Sequence, residues 1–379
     1  MAKLDQLQAL RAIAALLVVV SHAIHEAHGV WGEGSLPAWL YAVPGDIGVD
    51  IFFVLSGFIM VYASRDQFGR AGAVVPFLLR RFARIAPLYW ALTTILFVMY
   101  LVIPSAVSSP PESWQSIAAS YAFFPFARED ELFRPLLALG WTLNYEMFFY
   151  AIFAFLLALP MRIAIPMVLA VLTSLSLIGF FAELPGPLAF WTNSIILEFG
   201  FGVALASVFL SGVRLPALAC VGLLLASIAL FAFAPPFNFD VSSVRFLYFG
   251  VPAILLVASF ALAKRSLFPT SKILVAMGDA SYSTYLSHPF ALAVIAILIG
   301  FGGLKEMLNP LLFVVLCTLV SAIGGQLVYW IIEKPLSRWA RKAIDGSIVS
   351  PPRKGPNAGR LTAAVAPKGT RRGYSQRTA

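Results

Sequence analysis

The chain has 379 residues, of which 60% are hydrophobic and only 12% charged, and its mean hydropathy is +0.86. Soluble globular proteins are about 45–50% apolar and about 25% charged. The composition therefore excludes soluble enzymes, DNA-binding domains and fibrous or disordered proteins. It predicts an all-α polytopic membrane protein. The formal net charge of +9 follows from the topology of such a chain, so we expect no nucleic-acid partner.

Ten apolar segments are long enough to cross a bilayer, which takes about 20 residues. Gaps that contain Pro and Gly separate them. The sequence thus predicts a bundle of about ten transmembrane helices. The predicted spans are 7–26, 44–63, 84–103, 141–159, 163–182, 189–211, 215–234, 244–263, 280–301 and 309–333.

Basic residues give the predicted orientation, because cytoplasmic loops of membrane proteins are enriched in Lys and Arg. With the N-terminus in the cytoplasm, all but four of the 27 Lys and Arg residues fall on the cytoplasmic side. Both termini are therefore predicted to be cytoplasmic. In the alternative, the first apolar run is a signal peptide cleaved near Ser21-His22-Ala23, which would leave an odd helix count and spoil the charge bias.

The chain divides into a transmembrane domain, residues 1–340, and a basic tail, residues 341–379. The tail is rich in Gly and Pro and carries no acidic residue after Asp345. Such a segment cannot bury a core, so we expect it to be disordered and close to anionic lipid headgroups.

Cys220 and Cys317 lie in apolar segments, which indicates buried thiols rather than a disulfide or a zinc site.

Ionisable residues inside the predicted spans mark the functional region, because such groups are costly in a bilayer and face the bundle interior. Arg11 and His22 share the first span, about 16 Å apart and on nearly the same side. Asp50 and Glu146 lie one to two turns into their spans from outside, and His288 lies near mid-depth. We therefore predict that His22 and carboxylates converge in the outer half of the bundle. A purely structural role in bundle packing is the alternative for each carboxylate.

Two further sets of ionisable residues are not predicted to form a catalytic or a metal site. Glu198 and His288 are treated by default as structural or pore-lining. His22, His25 and His28 recur at every third position, but this spacing is weak support for a metal and no cysteine accompanies it. We therefore predict no metal site.

A run of arginines, Arg80-Arg81-Phe82-Ala83-Arg84, opens the third predicted span. Arg81 and Arg84 are three positions apart, hence on one face of a helix. Two guanidinium groups placed in this way suit a polyphosphate or a phosphorylated nucleotide. Ordinary positive-inside orientation of the helix is the alternative.

The longest connection between predicted spans, residues 104–140, is rich in aromatic residues that include Trp114 and Tyr121, and it then carries Arg128-Glu129-Asp130-Glu131. Loops of this length are usually functional or disordered. Aromatic rings pack on the C–H faces of sugars, and carboxylates accept hydrogen bonds from their hydroxyls. We therefore predict that this outer loop caps the bundle and orients a carbohydrate. The alternative is an aromatic segment that lies flat in the membrane interface.

Six motifs follow one another along residues 5 to about 340, and together they resemble the membrane-bound acyltransferase 3 family. Residues 140–150 look most like the branch that acetylates bacterial exopolysaccharide of the succinoglycan type. The motifs are Arg11 with ten residues before His22; Gly48-Val49-Asp50-Ile51-Phe52-Phe53-Val54-Leu55-Ser56-Gly57-Phe58; Arg81-x-x-Arg84; Trp141-Thr142-Leu143 with Glu146 and Tyr150; Ser281-Tyr282-Ser283-Thr284-Tyr285-Leu286-x-His288; and Glu333-Lys334-Pro335.

This resemblance implies transfer of an acyl group, usually acetyl, from cytoplasmic acyl-CoA to a carbohydrate hydroxyl at the bacterial inner membrane. His22 is then expected to be the general base, with Glu146 or Asp50 orienting its imidazole. A covalent acetyl-histidine is the alternative chemistry. The donor is expected to contact Arg11, Arg80, Arg81 and Arg84, and the acceptor Trp114, Tyr121, Trp141, Tyr285 and His288.

We expect no permanently bound cofactor, because acetyl-CoA or another acyl-CoA would enter as a substrate. The expected partners are a glycan or lipid-linked oligosaccharide acceptor, membrane lipids and the polysaccharide-synthesis machinery. Two other classes of function compete with the enzyme. One is a transporter or flippase that uses buried histidines and carboxylates as a proton path. The other is a scaffold for a polysaccharide synthase.

Overall fold

A computed structural model describes residues 5–41, 45, 47–104, 107, 110–128, 132–234, 244–264, 271–301, 304–306 and 308–348. Within these ranges the protein is all-helical and contains no β-strand. Two features of the sequence analysis lie outside the described residues. They are the acidic run Glu129-Asp130-Glu131 of the outer loop and the tail from residue 349 onward.

The described residues form fifteen α-helices in chain order. They are α1 (Asp5–Trp31), α2 (Ala38–Tyr41), α3 (Ile47–Ser64), α4 (Val74–Val102), α5 (Trp114–Tyr121), α6 (Trp141–Leu157), α7 (Met161–Phe181), α8 (Gly186–Trp191), α9 (Leu197–Leu210), α10 (Ala217–Ala232), α11 (Val251–Ala261), α12 (Lys272–Asp279), α13 (Ser281–Phe301), α14 (Pro310–Val328) and α15 (Lys334–Ile348). Single turns of 3₁₀-helix precede several of them, and π-helical turns lie at Phe246–Gly250 and Tyr329–Glu333.

Six helical segments in the described part of the chain are long and apolar enough to cross a membrane. Three shorter apolar segments, Ser194–Leu210, Ala217–Ala232 and Phe246–Ala261, add to them. A helix overlaps each predicted span, so the prediction of an all-helical membrane bundle is confirmed. The count of about ten spans and the orientation of the termini stay predictions.

The last helix, α15, passes the predicted domain boundary at residue 340 and continues to Ile348. Its apolar residues Leu336, Ala340 and Ala343 recur every three to four positions, and basic residues lie between them. This pattern is typical of an amphipathic helix at a membrane surface. The many charged residues of this segment suggested disorder. The regular spacing of its apolar residues is nevertheless sufficient to support a helix.

Helix α3 lies at the centre of the bundle, where it packs on α1, α9 and α11. Its most extensive contact is with α9, and glycines allow this close approach. A Cβ at Gly57 would strike the carbonyl oxygen of Phe199, and a Cβ at Gly202 would strike that of Val54. Small residues at helix crossings are a common device in membrane proteins, since lipid offers no hydrophobic drive for helix association.

The segment before α6 enters the bundle instead of staying at its surface. Leu136, Leu137 and Leu139 are buried, and Gly140 packs against the Tyr89 ring so closely that a Cβ would collide with it. Helix α6 is only 17 residues long, and at 1.5 Å per residue it spans about 26 Å. Helix α6 therefore begins inside the protein, which determines the depth of the residues that it carries.

Large apolar side chains also cover the outside of the bundle. Phe155, Phe181, Leu218 and Phe233 each expose more than two thirds of their surface. In a soluble protein such a surface would drive aggregation or mark an interface. Here it is the surface expected of helices that face lipid.

Candidate active site

A cavity of about 340 Å³ lies among α1, α3, α4, α6 and α13. Three guanidinium groups and one carboxylate contribute to its wall, so its charged lining favours an anion. Gln8 and a set of apolar and hydroxyl-bearing side chains form the rest. The lining includes Arg11, Arg81, Arg84, Glu146, Ser56, Thr142, Tyr150, Tyr282, Tyr285, Phe52, Phe53, Leu55, Ile59 and Met60.

Arg11 on α1 is held in place by two neighbouring helices. Its Nε and Nη2 atoms donate hydrogen bonds to the Ser281 Oγ atom on α13, at 3.2 and 3.0 Å. Its guanidinium carbon also lies 5.7 Å from the centre of the Phe52 ring on α3. The guanidinium group is therefore ordered before any ligand binds, which lowers the entropy cost of binding an anion.

The two arginines at three-residue spacing lie together on the cavity wall. Arg81 and Arg84 both line it from α4, and the Arg81 guanidinium lies 5.4 Å from the centre of the Phe77 ring. Arg80, by contrast, is exposed and is not part of the lining. This difference follows from helical geometry, because adjacent residues point about 100° apart.

Glu146 lines the same cavity as the arginines, and its Oε1 atom accepts hydrogen bonds from the Ser56 hydroxyl at 3.1 Å and from the Tyr150 hydroxyl. Glu146 thus lies among the arginines on the cavity wall, and its place in the outer half of the bundle stays a prediction. The buried segment before α6 brings Glu146 into the protein interior, because α6 does not start at the surface.

A pair of histidines lies behind one wall of the cavity. The Nδ1 atom of His22 on α1 is 2.7 Å from the Nε2 atom of His288 on α13. The ring of Tyr285, which lines the cavity, is centred 6.3 Å from the His288 ring. The Tyr285 hydroxyl is 3.1 Å from the Thr142 hydroxyl. Tyr285 therefore connects the arginine-lined cavity to the histidine pair, while His288 is fully buried and does not line the cavity.

Asp50 forms an ion pair with Arg245, a residue that the sequence motifs did not single out. Both of its carboxylate oxygens accept hydrogen bonds from Arg245, at 3.0 and 2.8 Å, and the two side chains are almost completely buried. Glu198, also fully buried, lies next to Asp50. The expected contact between Asp50 and His22 is thus replaced by an ion pair. Because Arg245 lies at the start of an apolar segment, its need for an intramembrane partner was the available signal.

The aromatic residues expected to bind the acceptor occupy separate places. Trp114 on α5 is 73% exposed. The Tyr121 hydroxyl is 2.8 Å from the Thr94 hydroxyl, and its carbonyl accepts a hydrogen bond from the Trp90 indole, so α5 rests on α4. Neither Trp114 nor Tyr121 lines the cavity. Trp141 packs edge-on against Phe53, a lining residue.

The three histidines at the end of α1 point to different surroundings. His22 contacts His288, His25 is exposed, and His28 stacks on Tyr41 with ring centres 4.6 Å apart. Over the ranges that the structure describes, no group of three or more His, Cys, Asp or Glu residues is placed to hold a metal ion.

Residues 4–330 match the acyltransferase domain that defines the acyltransferase 3 family. The chain belongs to this family. Over 308 residues it is 34% identical to "Exopolysaccharide production protein ExoZ" of Rhizobium meliloti (strain 1021), a match that covers 78% of this chain and 91% of ExoZ. It is also 25% identical over 366 residues to "Acyltransferase MdmB" of Streptomyces mycarofaciens, covering 89% of this chain and 92% of MdmB.

No solved structure matches the chain. The family membership confirms the resemblance found in the sequence motifs, and with the helical bundle it makes the protein a multi-pass membrane acyltransferase. Enzyme chemistry is therefore favoured over the transporter and scaffold alternatives. The arginine-lined cavity and the neighbouring histidine pair form the candidate active site of this acyltransferase 3 protein.

Proposed function

We propose that this membrane acyltransferase transfers an acyl group, most simply acetyl, from cytoplasmic acyl-CoA to a hydroxyl of an exopolysaccharide or its lipid-linked precursor. The observation that carries the proposal is the cavity that contacts Arg11, Arg81 and Arg84 on one side and reaches Tyr285, next to the histidine pair, on another. This arrangement offers separate places for a phosphorylated donor and for a proton-accepting imidazole.

The arginines bind the phosphates of the donor. CoA is an anion with a diphosphate and a further phosphate, and guanidinium groups bind phosphate through paired hydrogen bonds. In the predicted orientation, Arg81 and Arg84 lie at the cytoplasmic end of α4, where CoA is found. The apolar wall, with Phe52 and Ile59, suits the pantetheine arm and the acyl chain. Arg80 plays a weaker part, since it is exposed outside the lining.

His22 acts as the general base in this proposal. It takes the proton from the acceptor hydroxyl as the hydroxyl oxygen attacks the thioester carbonyl. The new ester C–O bond forms, the C–S bond breaks, and the departing thiolate takes the proton from the imidazolium to leave as CoA. In the covalent alternative, the His22 nitrogen attacks the thioester first and the hydroxyl then attacks the acetyl-imidazole.

Neither carboxylate is proposed to orient His22 directly. Asp50 already binds Arg245 with both oxygens, and Glu146 accepts hydrogen bonds from Ser56 and Tyr150. We propose that Glu146 offsets part of the positive charge of the cavity, so that the CoA product can leave. Asp50 is proposed to stabilise the bundle.

The proposed acceptor is based on the name of one relative. The relative from Rhizobium meliloti is named for exopolysaccharide production, and the match covers most of both chains. A glycan intermediate in the inner membrane is therefore the proposed acceptor, reached from the side of the outer loop. The polysaccharide-synthesis machinery is the proposed protein partner, and acyl-CoA is a substrate rather than a bound cofactor.

The proposal can be tested first at the donor site, with protein purified in lipid nanodiscs and titrated with acetyl-CoA by calorimetry. The Arg81→Ala/Arg84→Ala variant should bind at least about tenfold more weakly, because a hydrogen bond to a charged group contributes about 1.5–3 kcal/mol. Arg80→Ala is the matched control, since it removes an arginine from the same helix outside the cavity. Unchanged affinity in the double variant contradicts the donor site.

A second experiment tests the chemistry and the acceptor together. Cells that lack this gene should lose acetyl groups from their surface polysaccharide, as measured by mass spectrometry, and the wild-type gene should restore them. The His22→Ala variant should insert and bind acetyl-CoA but restore nothing. A labelled acetyl group trapped on His22 would select the covalent route, and restored acetylation by His22→Ala would remove His22 from the mechanism.

A further inference from the structure

The contact between His22 and His288 contains one proton. At 2.7 Å between Nδ1 of His22 and Nε2 of His288, two N–H groups would collide and two lone pairs would repel each other. One imidazole must therefore donate and the other accept. Two tautomeric arrangements satisfy this contact, and they differ in whether Nε2 of His22 carries a lone pair or a hydrogen.

The other nitrogen of His288 decides between the two arrangements. Its Nδ1 atom lies 3.3 Å from the carbonyl oxygen of Thr284, one turn earlier in α13. A carbonyl oxygen can only accept, so Nδ1 of His288 carries the hydrogen. In a neutral imidazole the Nε2 atom then carries the lone pair. It follows that Nδ1 of His22 donates and that Nε2 of His22 carries a lone pair.

The burial of His288 strengthens this arrangement. Its imidazole is fully buried, so bulk water does not reach the ring. No solvent donor therefore competes for the Thr284 carbonyl or for the contact with His22.

We propose that His288 is a positioning residue that fixes the tautomer of His22, so that Nε2 of His22 accepts the proton of the glycan hydroxyl. The catalytic use rests on the proposed acyltransferase function, whereas the tautomer itself does not. During the reaction Nε2 of His22 gains the hydroxyl proton and returns it to the departing thiolate. The Nδ1–H group of His22 keeps its hydrogen bond to His288 throughout, and this bond strengthens while His22 is positively charged.

The tautomer can be measured without any variant. Protein labelled with ¹⁵N-histidine in lipid bilayers should give, by solid-state NMR, a His22 signal with Nδ1 protonated and Nε2 unprotonated. His22→Gln assigns this signal among the four histidines. A wild-type His22 signal with Nε2 protonated overturns the proposal.

Kinetics then test the positioning role through two variants. His288→Gln keeps an amide oxygen that can accept from Nδ1 of His22, whereas His288→Leu has no acceptor. We expect kcat to fall about 10²- to 10⁴-fold in His288→Leu, with the acetyl-CoA KM unchanged, and to recover at least about tenfold in His288→Gln. The exposed His25→Gln variant is the control and should behave as wild type.

The outcomes separate the two proposals. Equal losses in His288→Gln and His288→Leu, with an unchanged His22 tautomer in both, would overturn the positioning role. A wild-type protein that shows the expected tautomer but transfers no acyl group from acyl-CoA would contradict the proposed function and leave the tautomer standing. If His288→Leu does not fold, the wild-type spectrum and the His288→Gln spectrum still decide.

Discussion

Arg245 and Asp50 face each other through two parallel hydrogen bonds, from Nε to Oδ1 at 3.0 Å and from Nη2 to Oδ2 at 2.8 Å. The pair joins α3 to the turn of π-helix before α11, and it is buried beside Glu198. A guanidinium and a carboxylate in this geometry satisfy each other's hydrogen-bonding groups without water. This geometry supports the proposal that Asp50 stabilises the bundle, although its motif made it a candidate for catalysis.

Breaking this pair should destabilise the protein. We expect Asp50→Ala and Arg245→Ala each to lower the free energy of unfolding by about 3–5 kcal/mol, because either change breaks a buried ion pair that is held by two hydrogen bonds. The measurement is unfolding in detergent, followed by fluorescence. Arg128→Ala is the control, since its 2.9 Å ion pair with Glu112 lies in the more exposed outer loop. An Asp50→Ala protein of normal stability but without activity would return Asp50 to the chemistry.

Removing the negative charge of Glu146 should tighten donor binding. Glu146→Gln leaves three guanidinium groups without an opposing carboxylate on the cavity wall, so we expect the Kd for CoA to fall at least about threefold. Calorimetry in nanodiscs measures this change, and Glu112→Gln in the outer loop is the control. Weaker binding would instead mean that Glu146 holds the arginines in place, contrary to our proposal.

The crossing of α3 and α9 should tolerate no side chain at its closest point. Gly57→Ala places a methyl group against the Phe199 backbone, and we expect a loss of about 1–3 kcal/mol in stability. Gly222→Ala in α10 is the matched control, because the space around its Cβ is open and alanine favours a helix. A melting temperature that falls equally in both variants would argue against a specific crossing.

Variants of the outer loop should distinguish a role in acceptor binding from simple contact with lipid. If α5 binds the acceptor, Trp114→Ala with Tyr121→Ala should raise the KM for the glycan and leave acetyl-CoA binding unchanged. The exposed Trp114 ring is free of the cavity wall, so loss of donor binding is not expected. Reduced expression or membrane stability with normal glycan kinetics would identify the loop as an interfacial segment instead.

The sequence determined the class of the molecule and the parts of the site that are local. Apolar segments of bilayer length predict a helical membrane bundle, because helices satisfy their own backbone hydrogen bonds in lipid. The three-residue spacing of Arg81 and Arg84 placed both on the same wall, and the motif order led to the family that the domain match confirms. These features depend on helical periodicity or on residue identity, both of which a sequence contains.

The tertiary structure alone decided which distant residues meet. The partners of Asp50 and His22 are Arg245 and His288, far along the chain on other helices, and a count of turns cannot identify them. The place of Glu146 among the arginines depends on where α6 begins, and the burial of the preceding segment sets that start. Helix packing determines these pairings. Helices approach each other closely at glycines, and buried charges pair with opposite charges on other helices of the bundle.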